Sequence, residues 1–519
     1  MGHGTDRHAP YCFRPMSSSG QPAAPPLNPH RWWSLLGLCG FTFLVWLTAT
    51  DINIALPTIG QEFGGSMDSL QWAVNAYFLA GALIVVGGRL GDLSGRRLIF
   101  TIGGVLLLLG SIVAALAGGI EQLVAGRVIQ GVAAAAILPT SLAIVATGFP
   151  PEERARAVAI WIAVAWAGQG VGPLIGGGLI DAFGWAGIFW VNIPFGLAFL
   201  ALAWKTTPET RAEVGGKLDV PGAVALMGAL VLLSYGLVAF DTAGAGELVA
   251  LFIASLLLFA LFALVERRAE DPLVPLSVFK RPKFVGAVSA NFLANVAFAT
   301  VVFLMALYLQ IVLGESPLKA GALLLPATAT ILIFNVIGEA MTKRGNFRVA
   351  IALGMFFLAA GCLVLTQLDG SYGSLLPGFI LVGIGIGFQI TPATELAVTC
   401  SGTGEGAASG VYKATSMIGG SIGVALATAV FQSVASGNLG DRIAASPGTF
   451  TGQNETGLLE VLTGSGSAAG LSPAATDAVN SAFEAAAGDA MYVGAAAAVI
   501  GLGLALTLLG RGKGPDSQV

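Results

Sequence analysis

Charge is what this chain has least of. Asp, Glu, Lys and Arg make up 10% of its 519 residues, while 55% are hydrophobic. A soluble protein carries about 25% charged residues, so a soluble fold of this length would lack the polar surface it needs. Disorder is excluded by the same numbers, because disordered chains are poor in apolar residues. Histidine is scarce as well: His3, His8 and His30 all lie in the N-terminal tail. The four cysteines are Cys12, Cys39, Cys362 and Cys400, and Cys39 and Cys362 sit inside apolar runs. This argues against a disulfide framework and against a His/Cys metal cluster. A net charge of −4 gives no basic surface for a polyanion, so no nucleic-acid partner is expected. No nucleophile–base constellation and no phosphate-binding loop stands between the apolar runs. Neither enzymatic activity nor a cofactor or metal is expected.

What is present in abundance is long apolar runs. A membrane span needs about 20 mostly apolar residues. Fourteen runs qualify: 33–57, 69–88, 98–118, 121–147, 157–180, 187–204, 220–240, 248–265, 284–313, 318–341, 349–368, 374–400, 407–433 and 491–510. They are numbered here as spans 1 to 14. Lipid offers no partner for backbone N–H and C=O groups, so the runs are expected to be helices.

Lys and Arg orient the spans, because basic residues accumulate on the cytoplasmic side. With the N-terminus inside, 21 of the 25 basic residues fall in the tails and alternate loops on that side. Lys319 and Arg442 fall outside, and Arg127 and Lys413 lie within spans. Adding or removing one span would invert everything downstream and destroy the pattern. Fourteen spans with both termini cytoplasmic is therefore the expected topology. The expected organisation is a disordered tail (1–31), a six-helix half (32–204), a two-helix insert with its flanking loops (205–283), a second six-helix half (284–510) with an external loop at 434–490, and a short tail (511–519). A weak internal repeat fits this 6 + 2 + 6 order. Gly88 and Gly95 bracket the loop after span 2, and Gly338 and Gly345 bracket the loop after span 10 at the same spacing. Parallel halves with a site between them are a transporter architecture.

Several motifs sharpen this reading. The loop after span 2 reads Gly88-Arg-Leu-Gly-Asp92-Leu-Ser-Gly95-Arg96-Arg97. Its glycines permit a tight turn, Asp92 suits a helix N-terminus, and the arginines hold the loop at the cytoplasmic surface. Span 4 carries Arg127-Val-Ile-Gln130-Gly131, and span 5 carries Gly168-Gln-Gly-Val-Gly172-Pro173-Leu-Ile-Gly176-Gly177. Small residues allow close helix approach and proline bends a span.

Together these motifs resemble the signatures of the major facilitator superfamily, and the span 5 sequence resembles that of its exporting antiporters. Further matches to fourteen-helix drug/proton antiporters run in order along residues 33–510. They include Phe189-Trp190-Val-Asn192-Ile-Pro194, Asp271-Pro272-Leu273 and Gly314-x-Ser-Pro317. The resemblance implies an all-α major facilitator fold in the cell (inner) membrane, acting as a monomer. It implies a proton-coupled antiporter that exports amphipathic small molecules, often cationic, by alternating access. Its partners would be a small-molecule substrate, protons and the lipid bilayer. Export of a lipid-like compound or proton-coupled uptake is the alternative, and a membrane enzyme or receptor the remote one.

Two departures from the family pattern matter. Where the family has an acid in span 1 this chain has Thr48, and an acid stands one helical turn later at Asp51, followed by Asn53. In span 13 the usual Asn-Thr is replaced by Lys413-Ala414. Ionisable residues in a span are costly and usually face a partner. Three site expectations follow. Asp51 and Arg127 form a coupled pair for proton transfer. Asp92 with Arg96 and Arg97, set between Gly88 and Gly95, locks the two halves on the cytoplasmic side. Glu395 and Lys413 form an ion pair, or line the cavity alongside Asn53 and Gln130.

Overall fold

The computed structural model describes residues 28–64, 66–211, 218–239, 243–400, 405–445, 455–462 and 471–510. Among these residues no strand occurs, and fourteen helices are long and apolar enough to cross a membrane. Spans 1 to 7 are Arg31–Thr50, Ser69–Ser94, Arg96–Ala115, Ile120–Gly148, Pro151–Phe183, Gly187–Thr206 and Val220–Val238. Spans 8 to 14 are Ala245–Arg268, Pro282–Ile311, Pro317–Lys343, Phe347–Val364, Tyr372–Thr399, Ala408–Ile443 and Pro473–Leu508. Of the expected disordered tail at 1–31, residues 1–27 lie outside the described residues, while residues 28–30 lead into span 1 and Arg31 begins it; the expected tail at 511–519 lies outside the described residues.

Two boundaries depart from expectation. Span 1 does not end at Pro57: after a break at Asp51 the helix resumes as Ile52–Phe63, with Pro57 inside it. At the break the Ile54 N–H donates to the Asp51 carbonyl only three residues back, a tightened turn. Gly64 then stops the helix at φ +62°, a left-handed cap glycine adopts without strain.

The second departure concerns 434–490, expected to be an external loop. Span 13 runs on to Ala445, a short helix covers Glu455–Leu462, and span 14 begins at Pro473. The sequence predicts a short helix near 473–489 within this stretch; the helix found there is continuous with span 14, as suits a segment rich in alanine, the best helix former. The extension of span 14 has a proper start, with Ser472 Oγ accepting from the Ala475 N–H at 3.2 Å. It buries Ala475, Ala478, Val479, Ala482 and Phe483, the i, i+3, i+4 stripe of a helix face. Phe483 meets Phe431 of span 13 edge-on at 4.8 Å.

Spans 1 to 6 pack chiefly on one another, as do spans 9 to 14. Two seams join the groups. Along one, span 2 lies against span 13; along the other, span 5 lies against the start of span 10. Spans 7 and 8 pair with each other, with span 7 also touching spans 2 and 13. Leu256 and Leu257 of span 8 are exposed, as befits a helix whose outer surface is solvated by lipid.

Candidate functional site

Span 4 buries its arginine completely. Arg127 donates from Nε to the Ala73 carbonyl at 2.7 Å and from Nη1 to the Thr48 carbonyl and Gln130 Oε1, both at 2.9 Å. The guanidinium also lies over the Tyr77 ring, 4.5 Å from its centroid. The network continues from Gln130 Nε2 to Ser111 Oγ, while Asn192 Nδ2 donates to both Ser111 Oγ and Thr48 Oγ1. It thus ties spans 1, 2, 3, 4 and 6 around one cation. Asp51 and Arg127, expected as a coupled pair, share no hydrogen bond or ion pair, although their charges act on one another; backbone carbonyls and an amide satisfy the guanidinium, apart from Nη2, which has no hydrogen-bond partner. The depth match that predicted the pair took Pro57 as the end of span 1, whereas the helix continues to Phe63. Asp51 instead sits at the break, one turn beyond Thr48.

Asp51 is 1% exposed, and neither carboxylate oxygen has a hydrogen-bond partner. A carboxylate without a partner in so dry a place is costly in its charged form. Its neighbour across the helix interface is the glycine motif of span 5. A Cβ on Gly176 would fall 2.7 Å from the Asp51 Cβ, one on Gly172 would strike Thr50 Oγ1, and one on Gly168 would fall 2.6 Å from the Phe43 carbonyl oxygen. Thr50 Oγ1 completes this contact by donating to the Gln169 carbonyl at 3.0 Å. Asn53 Nδ2 donates to the Thr50 carbonyl across the break, three residues back.

The same motif has a second face. A Cβ on Gly177 would overlap the Pro317 carbonyl, and one on Gly321 would overlap the Pro173 carbonyl. Thr328 Oγ1 donates to the Gly170 carbonyl at 3.0 Å. Span 5 is therefore a two-sided helix: Gly168, Gly172 and Gly176 receive span 1, while Gly170, Pro173 and Gly177 receive span 10 of the other group. A cavity between the groups opens beside it, lined by Thr50, Trp166, Gln169, Pro173, Phe298 and Thr328 among others.

The loop after span 2 is built differently from expectation. Asp92 Oδ1 accepts from Arg96 Nε and Nη2 at 3.1 and 2.9 Å, a contact one turn away in sequence. Gly95 takes φ +120°, and the start of span 3 is capped by Glu209, whose carboxylate accepts from the Arg97 and Leu98 N–H groups. Arg97 lies over the Trp204 ring at 4.1 Å. Asp92, Arg96 and Arg97 thus bind the loop to spans 3 and 6 of their own group and do not bridge the halves. Among the described residues, an ionic contact that does leave the group is Arg89–Asp271 at 3.3 Å, which reaches the segment between spans 8 and 9. Gly88 packs on Pro139 of span 4.

The expected Glu395–Lys413 pair is also absent. Glu395 is exposed, and the charges acting on it are Glu339 and Lys343 of span 10, themselves joined at 2.6 Å. Lys413 points the other way, its Nζ 5.4 Å from the Trp46 ring and 5.9 Å from the Trp166 ring. Equal depth did not mean a shared face. Tyr412, whose Oη donates to the Ile390 carbonyl, is the residue that faces span 12. Its neighbour Lys413 is rotated by about 100° around the helix, toward spans 1 and 5. Cation–π contact at a dry site contributes about 2 kcal/mol, set against the several kcal/mol that desolvating an ammonium costs.

Sequence reasoning missed Thr48 and Ser111 as network members and Trp46 and Trp166 as cavity neighbours. A signal existed for the tryptophans, since Trp in membrane proteins concentrates at the interfaces and these two stand well inside spans 1 and 5. Among the described residues no group of three His, Cys, Asp or Glu could hold a metal ion.

Comparisons with known proteins bear on the family and the fold. The family model described as Major Facilitator Superfamily matches residues 38–424. A puromycin resistance protein of Streptomyces alboniger is 34% identical over 439 residues, covering 82% of this chain and 86% of that one. A tetracenomycin C resistance and export protein of Streptomyces glaucescens is 32% identical over 407 residues, covering 77% and 76%. Among solved structures, a bacterial homologue of the human lysosomal transporter Spinster, inward-facing and unoccupied, superposes with a TM-score of 0.62 at 16% identity, over 93% of this chain and 98% of that one.

Proposed function

The chain belongs to the major facilitator superfamily, and from that premise we propose that it is a proton-coupled antiporter exporting amphipathic small molecules from the cell. Drugs, antibiotics or a secreted metabolite are the substrate class. The relatives named for antibiotic resistance and export support the direction of transport and the kind of cargo. The observation that carries the coupling is Asp51: a fully buried carboxylate with no partner, held against Gly176 at a break in span 1. A proton can reach or leave such a group only when the packing around it opens to water. Span 5 touches Asp51 with one face and span 10 with the other, so movement between the halves changes the surroundings of the carboxylate.

The remaining organisation follows the same reading. Spans 1–6 and 9–14 are the two rocking halves, spans 7 and 8 the insert, and both termini lie in the cytoplasm. The protein resides in the cell (inner) membrane, works as a monomer and catalyses no chemical reaction. Arg127 and Gln130 hold spans 1, 3 and 4 in register rather than carry the proton, and the loop from Gly88 to Arg97 tunes the balance between states.

The test is a pH-gradient-driven transport assay in inverted membrane vesicles with a panel of amphipathic antibiotics and dyes. Wild type is expected to accumulate at least one compound only while the gradient is present. Asp51→Asn is expected to abolish gradient-driven accumulation while the protein stays in the membrane at normal levels. Accumulation by Asp51→Asn with an unchanged pH dependence would remove Asp51 from coupling. Accumulation by wild type that ignores the gradient would remove proton antiport altogether.

A further inference from the structure

Among the described basic residues of the spans, Arg127 and Lys413 lie away from the loops, and they are provided for very differently. Arg127 has three hydrogen-bond acceptors and an aromatic face. Lys413 has neither a hydrogen-bonded acceptor nor a carboxylate: among the described residues no acid is placed to act on it, and its surroundings are the indoles of Trp46 and Trp166. An ammonium held part-buried without an anion is a standing cost in a low-dielectric site. A residue of that kind inside a span is a functional candidate by default.

Its position gives it a use. Lys413 is carried by span 13, whereas Trp46 and Trp166 belong to spans 1 and 5 of the other group. Trp166 also lines the cavity between the groups. The cavity surface is mainly apolar, with Phe298, Val301 and Phe379 on the side of the C-terminal group. Trp166, whose ring centre lies 5.9 Å from Lys413 Nζ, is the residue that connects the ammonium to this wall.

We propose that Lys413 is an anion subsite, and that the molecules this transporter carries include aromatic compounds bearing an acidic group, a carboxylate or an ionised phenol, which pairs with Lys413 while the ring system lies against Trp166. This rests on the export reading given above and reverses the charge preference that the sequence motifs imply. The anion supplies the acceptor that Lys413 lacks. It also joins the halves, because the cation comes from span 13 and the aromatic face from span 5. Loading and release of the acid are thereby linked to the separation of spans 13 and 5.

Binding to the purified full-length protein in detergent micelles, read by titration calorimetry, tests this without depending on transport. The probes are three matched compounds: 2-naphthoate, 2-naphthamide and 2-naphthylmethylamine. Wild type is expected to bind the carboxylate about ten-fold more tightly than the amide, the scale of one charge-assisted hydrogen bond, and the amine most weakly. Lys413→Gln is expected to bring the carboxylate-to-amide ratio to about one, and Lys413→Arg to keep it above one. If wild type binds none of the three, binds them equally or prefers the amine, the proposal is overturned; these comparisons need no variant to fold. It is overturned too if Lys413→Gln, folded by its melting temperature, keeps the wild-type ratio, since Lys413 would then be only a contact between halves. Tight carboxylate binding with no gradient-driven transport of any compound would overturn the export reading and leave the subsite standing.

Discussion

The residue scale is where a single methyl group or charge decides the outcome. Arg127 is the clearest case, because its hydrogen bonds to the Ala73 and Thr48 carbonyls and to Gln130 are all buried. Arg127→Ala leaves acceptors unsatisfied at about 1–3 kcal/mol each, and a loss of 3 kcal/mol or more is expected, read as a lowered melting temperature of the purified protein. Arg127→Lys should recover only part of it, because an ammonium lacks the planar fork that serves separated acceptors. A Lys variant with full wild-type stability would show that the charge alone matters. Arg127 was legible from its motif and from the cost of a charge in a span. Its partners were not, since two of them are backbone carbonyls, which carry no sequence signal. Asp51 was legible for the same reason as Arg127, while its lack of any partner depends on how span 5 packs over it.

At the scale of elements, the feature that organises the molecule is the two-sidedness of span 5. Its glycines alternate between span 1 and span 10, and on the second face Gly177 and Gly321 each meet a backbone carbonyl of the opposite helix. Gly177→Leu is therefore expected to wedge the seam open and reduce transport to under a tenth of wild type, with the protein still inserted. Gly178→Leu, one residue on, where a side chain has ordinary room against Leu318, should transport nearly normally. Vesicle transport rates normalised to protein level make the comparison, and equal loss in both variants would mean that the span resists any bulk there. Small-residue spacing in the sequence announced that this helix packs closely, but it did not say against what. Which glycine faces which neighbour follows from the roll of the helix about its axis, and that is set by all its contacts at once.

At the scale of the whole molecule, the question is what holds the two groups in one arrangement. The seam between spans 2 and 13 ends near Arg89 and Asp271, 3.3 Å apart and both partly exposed. Partly exposed pairs contribute about 0–1 kcal/mol, enough to bias a conformational balance without affecting folding. Arg89→Gln and Asp271→Asn are each expected to change transport velocity several-fold with little change in apparent substrate affinity. The charge swap Arg89→Asp with Asp271→Arg is expected to restore much of it. A swap no better than the single variants would show that the two residues act separately. The loop residues Asp92, Arg96 and Arg97 drew attention first because their motif is conspicuous, yet their bonds stay within one group, where the side chains are close in sequence and the geometry is local.

The sequence by itself determined that the chain is a fourteen-span helical membrane protein, because run length and apolarity are local properties that lipid reads directly. It also determined which few ionisable residues lie inside spans, since a charge in an apolar run is visible wherever the helix finally sits. Tertiary structure alone decided their partners. Asp51 stands opposite Gly176 and not in a bond with Arg127, and Lys413 stands against two tryptophans and not beside Glu395. The physical reason is rotational. Depth along a helix accumulates at 1.5 Å per residue and can be counted, whereas the face a residue presents turns by about 100° per residue. A shift of one position, as from Tyr412 to Lys413, therefore exchanges one neighbouring helix for another.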